Sequence, residues 1–481
     1  MSAQTPREVA ERAREAAGSA HALATVTRER SLALRFARSR PTQATSVDDV
    51  TVEVAVVRDG HVGRAATNDV GPDALRRCAD AAVLGAETAA RAAGPGAYPG
   101  FPQPGALRAH HGHDPETARL DPERGGDALS AAFAVAAETG TEANGLWTAG
   151  EVETAIATPS GPVLMDRVTD AFLKVVAFGP SGRSGYGAQT AVGVGDIDSR
   201  AVATGAAGKA GGGRADRSPY GRLSTEHRTV TPAAAGTEPL ELEPGEYTVV
   251  MEPHAVHELL WVLGDSAFNG LAQAEGRGAL DGRLGTRVVS PLINLSDSPR
   301  YPSTLPRAFD SEGVPKAPLP LIQDGVAHRV VHDVRSARIT GASSTGHAGA
   351  AGGASAGPLP QNLVMAGGGA ADERELCAGV ERGIYVTRLW YTNVVRPDES
   401  LFTAVTRDGT FLIEDGRITR PVADMRVTDS ALGLLSRVQA LGARSVLTSD
   451  GELYGRRFAS GSVCPPLRAG AVRFTGSAAS G

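Results

Sequence analysis

The segment VMEPHAVHELLWVLG, residues 250–264, brings two imidazoles and a carboxylate into one short stretch. The strand-like run GEYTVVM leads into Glu252-Pro253, and proline is tolerated in a first helical turn because its missing N–H has no intrahelical partner there. The spacing predicts a helix over 253–264. At about 3.6 residues per turn, His254, His257, Glu258 and Trp261 share one face, while Val256, Leu259, Leu260 and Leu263 spread around the other sides. Two imidazoles one turn apart can reach one metal ion, and a glutamate beside them can act as a general base.

The known zinc-peptidase spacings are not completed here. An HExxH helix places its second histidine one turn after the first, with the glutamate between them. Counting from His257-Glu258, that position holds Trp261 and the next holds Val262, neither of which ligates zinc. The inverted HxxEH order fails as well, because the order here is HxxHE. A metal site would therefore use His254 and His257, with Glu258 as base, and draw remote ligands from His328, His332, His347 or Cys464. The other reading makes these histidines half-exposed surface or cleft residues with no metal.

The elements around this helix read as an α+β chain. Helices are expected over 5–20 and 72–92, the second with Pro72 at an early position. Between them TVEVAVVRDGHVGRAAT alternates apolar and polar residues around Asp59-Gly60, the signature of a β-hairpin. Residues 93–105 are a Pro/Gly-rich linker or ordered excursion, 125–139 a helix, and EVETAIATPSGPVLMDRVTDAFLKVVAFG two β-rich runs joined at Ser160-Gly161. DIDSRAVATGAAGKAGGG is a helix fading into a glycine-rich stop, and 215–238 lacks periodicity. These features divide the chain into a hairpin-helix module over 1–110, a middle α/β segment over 111–225 and a β-rich domain over 226–481, a twisted sheet or barrel-like unit. The Gly/Ala/Ser-rich stretch 341–360 is expected to be a flexible loop unless a ligand orders it.

Composition narrows the partners. The 48 basic and 54 acidic residues are interspersed and sum to −6, so no polybasic stripe exists for nucleic acid or an anionic membrane surface. Cys78, Cys377 and Cys464 are far apart, which excludes a disulfide scaffold or a CxxC zinc site and fits a reducing cytoplasm. The N-terminal residues carry charge throughout and lack the apolar core of a secretion signal. No apolar run approaches the ~20 residues of a bilayer span, so a soluble cytoplasmic protein is expected.

Across most of its length the chain resembles the TldD/PmbA metallopeptidase family, in particular its TldE (PmbA) branch. The resemblance rests on an ordered set of segments: RFARSRPTQATSVDDVTVEVAVVRDGHVG, AYPGFPQP, GEVETAIATPSGPVLMDRVTDAFLKVVA, FDSEGVPKAPLPLIQDGV, SSTGHA, GIYVTRLWYTNVV, TRDGTFLIEDGRITRPV and PPLRAGAVRFTG. It implies an N-terminal α/β region followed by a C-terminal β-rich domain that walls one side of a closed cleft. In the family a TldD-type subunit carries an HExxxH helix that holds zinc with a further cysteine. A TldE-type subunit lacks that motif and pairs with it. His257 and Glu258 fall where the motif begins, but Val262 stands at its second histidine. Cys464 lies more than ten residues past the expected cysteine ligand and is not assigned as one. Relative to the TldE pattern, His257 replaces a small residue and His347 an asparagine.

The resemblance thus implies a subunit with no catalytic residue and no metal of its own, zinc in a TldD-like partner, and a heterodimer that hydrolyses short or unfolded peptides or peptide conjugates. Asp310, Glu312 and Gly313 of FDSEG, with Thr345 and His347 of SSTGHA, are the expected cleft residues, offering carboxylates, a hydroxyl and a turn able to take positive φ. A solvated turn or internal salt bridge is the other reading for the two carboxylates. Strand alternation puts Tyr385 and Tyr391 on one face and Trp390 on the other, and Asp408-Gly409 is expected to close a hairpin. Two alternatives remain open: a self-sufficient metallopeptidase using His254, His257 and Glu258, or a non-enzymatic regulatory binding protein.

Overall fold

The computed structural model describes residues 4–18, 21–94, 96–211, 238–449, 451 and 455–477. Six long antiparallel strands build the N-terminal half: β1 (Ala22–Ala37), β2 (Arg40–Arg58), β3 (His61–Thr67), β4 (Glu142–Ala157), β5 (Leu164–Phe178) and β6 (Ser184–Ala191), in the order β3-β2-β1-β4-β5-β6. Alternation gives this sheet two apolar faces. One face, with Val26, Val54 and Ala155, meets α1 (Pro6–Ala16) and α2 (Pro72–Ala93). Farther along, Trp147, Leu173 and Val175 meet α3 (Pro122–Thr139) and α4 (Ser199–Lys209). The opposite face, with Leu23, Ile156 and Leu164, packs on Ala308, Phe309 and Ala351 from the C-terminal half.

Local signals explain several boundaries. Thr5 and Glu8 form a reciprocal capping box at the start of α1. Asp59 and Gly60 both take positive φ, 48° and 76°, and turn β2 into β3 as the sequence predicts. The expected units 1–110 and 111–225 contribute to one sheet, because β1 pairs with β4 from Ala24↔Ala157 to Phe36↔Gly145. The boundary near 225 falls in 212–237, outside the described residues.

In the C-terminal half, β7 (Gly245–Met251) runs directly into α5 (Pro253–Ser266), with Glu252 as its N-cap. β7 is an inner strand of a nine-stranded sheet, between strands 467–477 and 382–386. A second sheet of six short strands lies nearby. Helix α5 is a pillar shared by both: Val256, Leu260, Val262 and Leu263 belong to one core with Val249 and Phe474 of the larger sheet and Leu295 and Met365 of the smaller. The architecture is the expected α+β class, with a β-rich C-terminal domain. No helix among the described residues is long and apolar enough to cross a membrane.

Three local expectations are corrected. Stretch 341–360 is ordered and wedged between the halves: Ala348 and Ala351 are buried, and Arg64 donates to the carbonyl of Gly353. Its small residues let backbone approach backbone, and a Cβ on Gly352 would stand 2.7 Å from Val62. GIYVTRLWYTNVV is two strands, Arg382–Val386 and Leu389–Arg396, placed apart in the sheet. The corner at Thr387-Arg388 breaks the alternation, so Tyr385 is buried while Trp390 and Tyr391 are both exposed. Asp408-Gly409 joins strands 401–406 and 410–414, which are not neighbours, so it closes no hairpin.

The two halves are also clamped by charge. Arg457 is buried against the N-terminal sheet, where its guanidinium grips both carboxylate oxygens of Asp170 at 2.7 and 2.6 Å and Thr148 Oγ1 at 3.0 Å. Its backbone N–H donates to Glu29 at 2.7 Å. Removing one partner of such a pair leaves a buried charge uncompensated. Asp170→Ala is therefore expected to destabilise the chain by about 3–5 kcal/mol, and Asp170→Ala with Arg457→Met by clearly less. Thermal unfolding of the single and double variants checks this, and equal losses would remove the clamp from the account.

Candidate functional site

The first turn of α5 sits on a buried polar knot. Glu252 shares its carboxylate between Lys209 Nζ at the end of α4, 2.7 Å away, and the Tyr385 hydroxyl, 2.9 Å away. Lys209 also donates to the carbonyl of Tyr186 in β6 at 3.1 Å. Burial, and then the charge of Glu252, raise the Glu373 carboxyl above its ordinary range. The pairing of Lys209 with Glu252 satisfies an acid that would be costly to bury alone.

His254 follows one residue later. Its ring meets that of Tyr186 edge-on, with centroids 5.1 Å apart, and the Arg388 guanidinium lies 4.3 Å from the centroid of the same tyrosine. Arg388 pairs with Asp408 at 3.1 Å. Packing around the His254 ring, then Lys209, His257 and Arg388, push its pKa well below the usual imidazole range, so the ring is neutral at pH 7. Along the helix His254 and Glu258 are half-buried and Trp261 is 50% exposed, whereas His257 is only 9% exposed. The open stripe of α5 is thus His254, Glu258 and Trp261, with His257 on its inner margin.

This donor set does not fit a zinc ion, which takes three protein ligands and leaves an open position in catalytic sites. Val262 is fully buried in the core. The Cys464 thiol lies on the core side of the helix start, donating to the Pro253 carbonyl at 3.3 Å, and burial raises its pKa, so it stays protonated. Among the described residues no group of three or more His, Cys, Asp or Glu side chains converges as metal ligands would.

His332 and His347 lie instead in a second cluster, together with the expected cleft residues. Asp310 accepts backbone N–H groups from Glu312, Val314 and Ala348 at 2.8–2.9 Å. Glu312 accepts the Tyr98 hydroxyl and the Val334 N–H, each at 2.9 Å. His347 Nε2 is 3.2 Å from Asp297 and its Nδ1 2.9 Å from Thr345 Oγ1. Gly313 takes φ 80° where a Cβ would stand 3.0 Å from Leu164 of β5. The structure therefore gathers Asp310, Glu312, Gly313, Thr345 and His347 in one place. In the single chain Asp310, Glu312 and His347 are buried, with His347 set between Asp297 and Thr345. The FDSEG turn packs beneath the N-terminal sheet, with Ala308 and Phe309 against Ile156 and Leu164.

Sequence reasoning missed the charges that hold both places. Asp297 is the hub of the second cluster: it accepts the N–H groups of Gln361 and Asn362 and lies 3.9 Å from Lys316 Nζ. Lys316, fully buried, donates to the Gly346 carbonyl at 3.0 Å. A lone lysine inside VPKAPLPL was the available signal. Nothing local singled out Lys209, and Asp408 stood out only as a turn residue.

Comparison with known proteins now bears on these geometries. Residues 244–476 match the PmbA/TldA metallopeptidase C-terminal domain, and residues 24–86 match the PmbA/TldA metallopeptidase domain 1. The chain belongs to the PmbA/TldD metallopeptidase family. It is 28% identical over 171 residues to a "Metalloprotease TldD homolog" of Haemophilus influenzae, a match spanning 34% of each chain. It is 26% identical over 203 residues to a "Metalloprotease" of Methanothermobacter thermautotrophicus, spanning 41% of this chain and 43% of that one. The matched part thus covers less than half of each relative. Among solved structures, TldE of Thermococcus kodakarensis superposes with a TM-score of 0.80 at 17% identity, over 97% of this chain and all of that one. A putative modulator of DNA gyrase from Thermotoga maritima gives 0.78 at 19%, over 98% and 100%. These two likenesses establish the family fold over the whole chain.

The second cluster makes a pH prediction. Burial, and then the charge of Asp310, push the Glu312 pKa from 4.5 up to about 8. The folded chain therefore holds a proton that the unfolded chain gives up, and stability falls as pH rises between about 4.5 and 8. Glu312→Gln removes this penalty while keeping an acceptor for Tyr98. Its melting temperature should exceed that of the wild type by several degrees at pH 8.5 and match it at pH 4.5. Parallel melting-temperature profiles for the two proteins would refute the assignment.

Proposed function

We propose that this chain is a TldE-like subunit that binds no metal itself and pairs with a TldD-like zinc metallopeptidase, walling a closed cleft in which short or unfolded peptides or peptide conjugates are hydrolysed. The observation that carries this reading is Val262, which occupies the place of the family's second histidine and is fully buried in the apolar core. The TldE of Thermococcus kodakarensis, with the same fold, supports it further. Such a subunit contributes by fixing the path of the peptide and excluding water around it. The half-open stripe of α5, with the His254 imidazole and the Glu258 carboxylate, is the natural wall. An obligate pairing of this kind buries more than ~2,000 Å².

One observation favours a second reading. His254 is held neutral, the form that ligates metal, with His257 one turn away. A self-sufficient metallopeptidase would then carry stoichiometric zinc and lose it on His254→Ala.

Co-expression with a homologous chain carrying HExxxH separates these readings. The two chains are expected to co-purify, with zinc confined to the partner, and peptide turnover by the pair should exceed that of the partner alone at least tenfold. Glu258→Gln in this chain should leave kcat unchanged. Independent purification of the two chains with unaltered partner turnover would sink the pairing. Stoichiometric zinc on this chain alone, with kcat abolished by Glu258→Gln, would replace it by the second reading.

A further inference from the structure

A cavity of about 520 Å³ opens on the seam between the halves, beside the Lys209–Glu252 pair. One wall is the turn before β6 with the end of α4, and the other is strand 410–414 with the corner 421–424. The seam is pinned there, because the Tyr186 N–H donates to the Asp408 carbonyl at 3.1 Å. Leu240 holds the corner, donating to the Pro421 carbonyl at 2.8 Å and accepting the Ala423 N–H at 3.0 Å. Three polar side chains on these walls are left without a matching partner among the described residues. Asp424, half-buried, has neither a hydrogen bond nor an ion pair. Burial, and then the charge of Asp408, push its pKa from 3.8 up to about 6. Arg183, on the other wall, donates from Nε to Ser181 Oγ at 3.1 Å and pairs with no carboxylate. A Cβ on Gly211 would collide with its guanidinium. The Thr410 hydroxyl is buried and makes no hydrogen bond. By contrast, Lys209 is taken up by Glu252, and Asp408 by Arg388 at 3.1 Å.

A buried hydroxyl without a partner costs free energy, and an unpaired acid and an unpaired guanidinium on the walls of one cavity add to that cost. A ligand that carries both charges relieves all three, and the volume lies within the ~300–1,000 Å³ of small-molecule sites. The exposed Glu238 and Glu241 also line the cavity. With Arg183 set against these two and Asp424, the unpaired wall charges hold a negative excess, so the ligand they favour is more cationic than anionic. We propose that this cavity binds a free basic amino acid, with its carboxylate on Arg183, an ammonium group on Asp424 and a further polar contact to the Thr410 hydroxyl. Carboxylate on guanidinium is a strong, oriented pair. An acidic amino acid brings the wrong excess charge, and a diamine has nothing to offer Arg183. The C-terminal residue of a basic peptide shares part of this chemistry but lacks the free α-ammonium that the two glutamates favour. None of these residues belongs to α5 or to the cluster around Asp297, and the site does not depend on pairing with a zinc-bearing homologue.

Isothermal titration calorimetry of the purified full chain with L-lysine tests it. The wild type is expected to bind lysine with a Kd below about 1 mM and to give no heat with L-glutamate at about 10 mM. Asp424→Asn and Arg183→Gln should each weaken lysine by about tenfold or more. Both variants should keep the melting temperature, because Asp424 has no partner to lose and Arg183 loses only its bond to Ser181. Cadaverine, which is lysine without the carboxylate, should bind the wild type more weakly than lysine does and be indifferent to Arg183→Gln. The absence of heat with lysine at about 10 mM, or a lysine affinity that both variants leave unchanged, overturns the proposal. So does cadaverine binding as tightly as lysine, which removes the role of Arg183. Nα-acetyl-lysine binding as tightly as lysine overturns it too, since the ligand would then be the end of a peptide. The titration uses this chain alone, so its outcome is independent of whether an HExxxH-bearing homologue co-purifies.

Discussion

A buried carboxylate at the start of α5 ties the chain together. Glu252 is the N-cap of the helix, and its two oxygens are taken by Lys209 from the N-terminal half and by Tyr385 from the strand beside β7. Neither charge could be buried without the other, so the ion pair sets where α5 begins relative to the N-terminal sheet. The Arg457–Asp170 grip makes the same kind of join elsewhere on that sheet. With both joins in place, which face of α5 meets the core and which stays open has one solution.

That solution gives each residue of the helix its character. Val256, Leu260, Val262 and Leu263 are surrounded by two sheets, and His257 is drawn toward the same side. His254 is pressed on Tyr186, and burial of its ring, then Lys209, His257 and Arg388, keep it neutral. Glu258, Trp261 and Asp265 reach outward with it. The second cluster shows the same economy: buried acids are tolerated because backbone N–H groups, Lys316 and Tyr98 meet them. Although burial works against it, Lys316 and then His347 hold Asp297 below the ordinary carboxylate range, whereas burial pushes Asp310 up to about 6.

Much of the fold was legible because its signals are local. Alternating apolar residues, Asp59-Gly60 and the capped starts of α1 and α3 specify elements without help from elsewhere. The errors arose where a distant partner decided the outcome. Stretch 341–360 looked featureless, yet its small residues are what allow it to pack between the halves. GIYVTRLWYTNVV looked like one strand, yet Thr387 and Arg388 turn toward Asp408 and split it.

By itself the sequence determined the α+β class, the family, the helix at 253–264 and the replacement of a histidine by Val262, since each depends on residue type and short-range spacing. It also brought Asp310, Glu312, Thr345 and His347 forward as a group. Only the tertiary structure decided that Asp310, Glu312 and His347 are buried, that Lys209 and Glu252 meet, and that Trp390 and Tyr391 stand together on a sheet edge. The reason is physical: burial and charge pairing depend on what arrives from the other side. Lys209 and Glu252 are 43 residues apart, and Arg457 and Asp170 are 287 apart, so no local pattern could record either meeting.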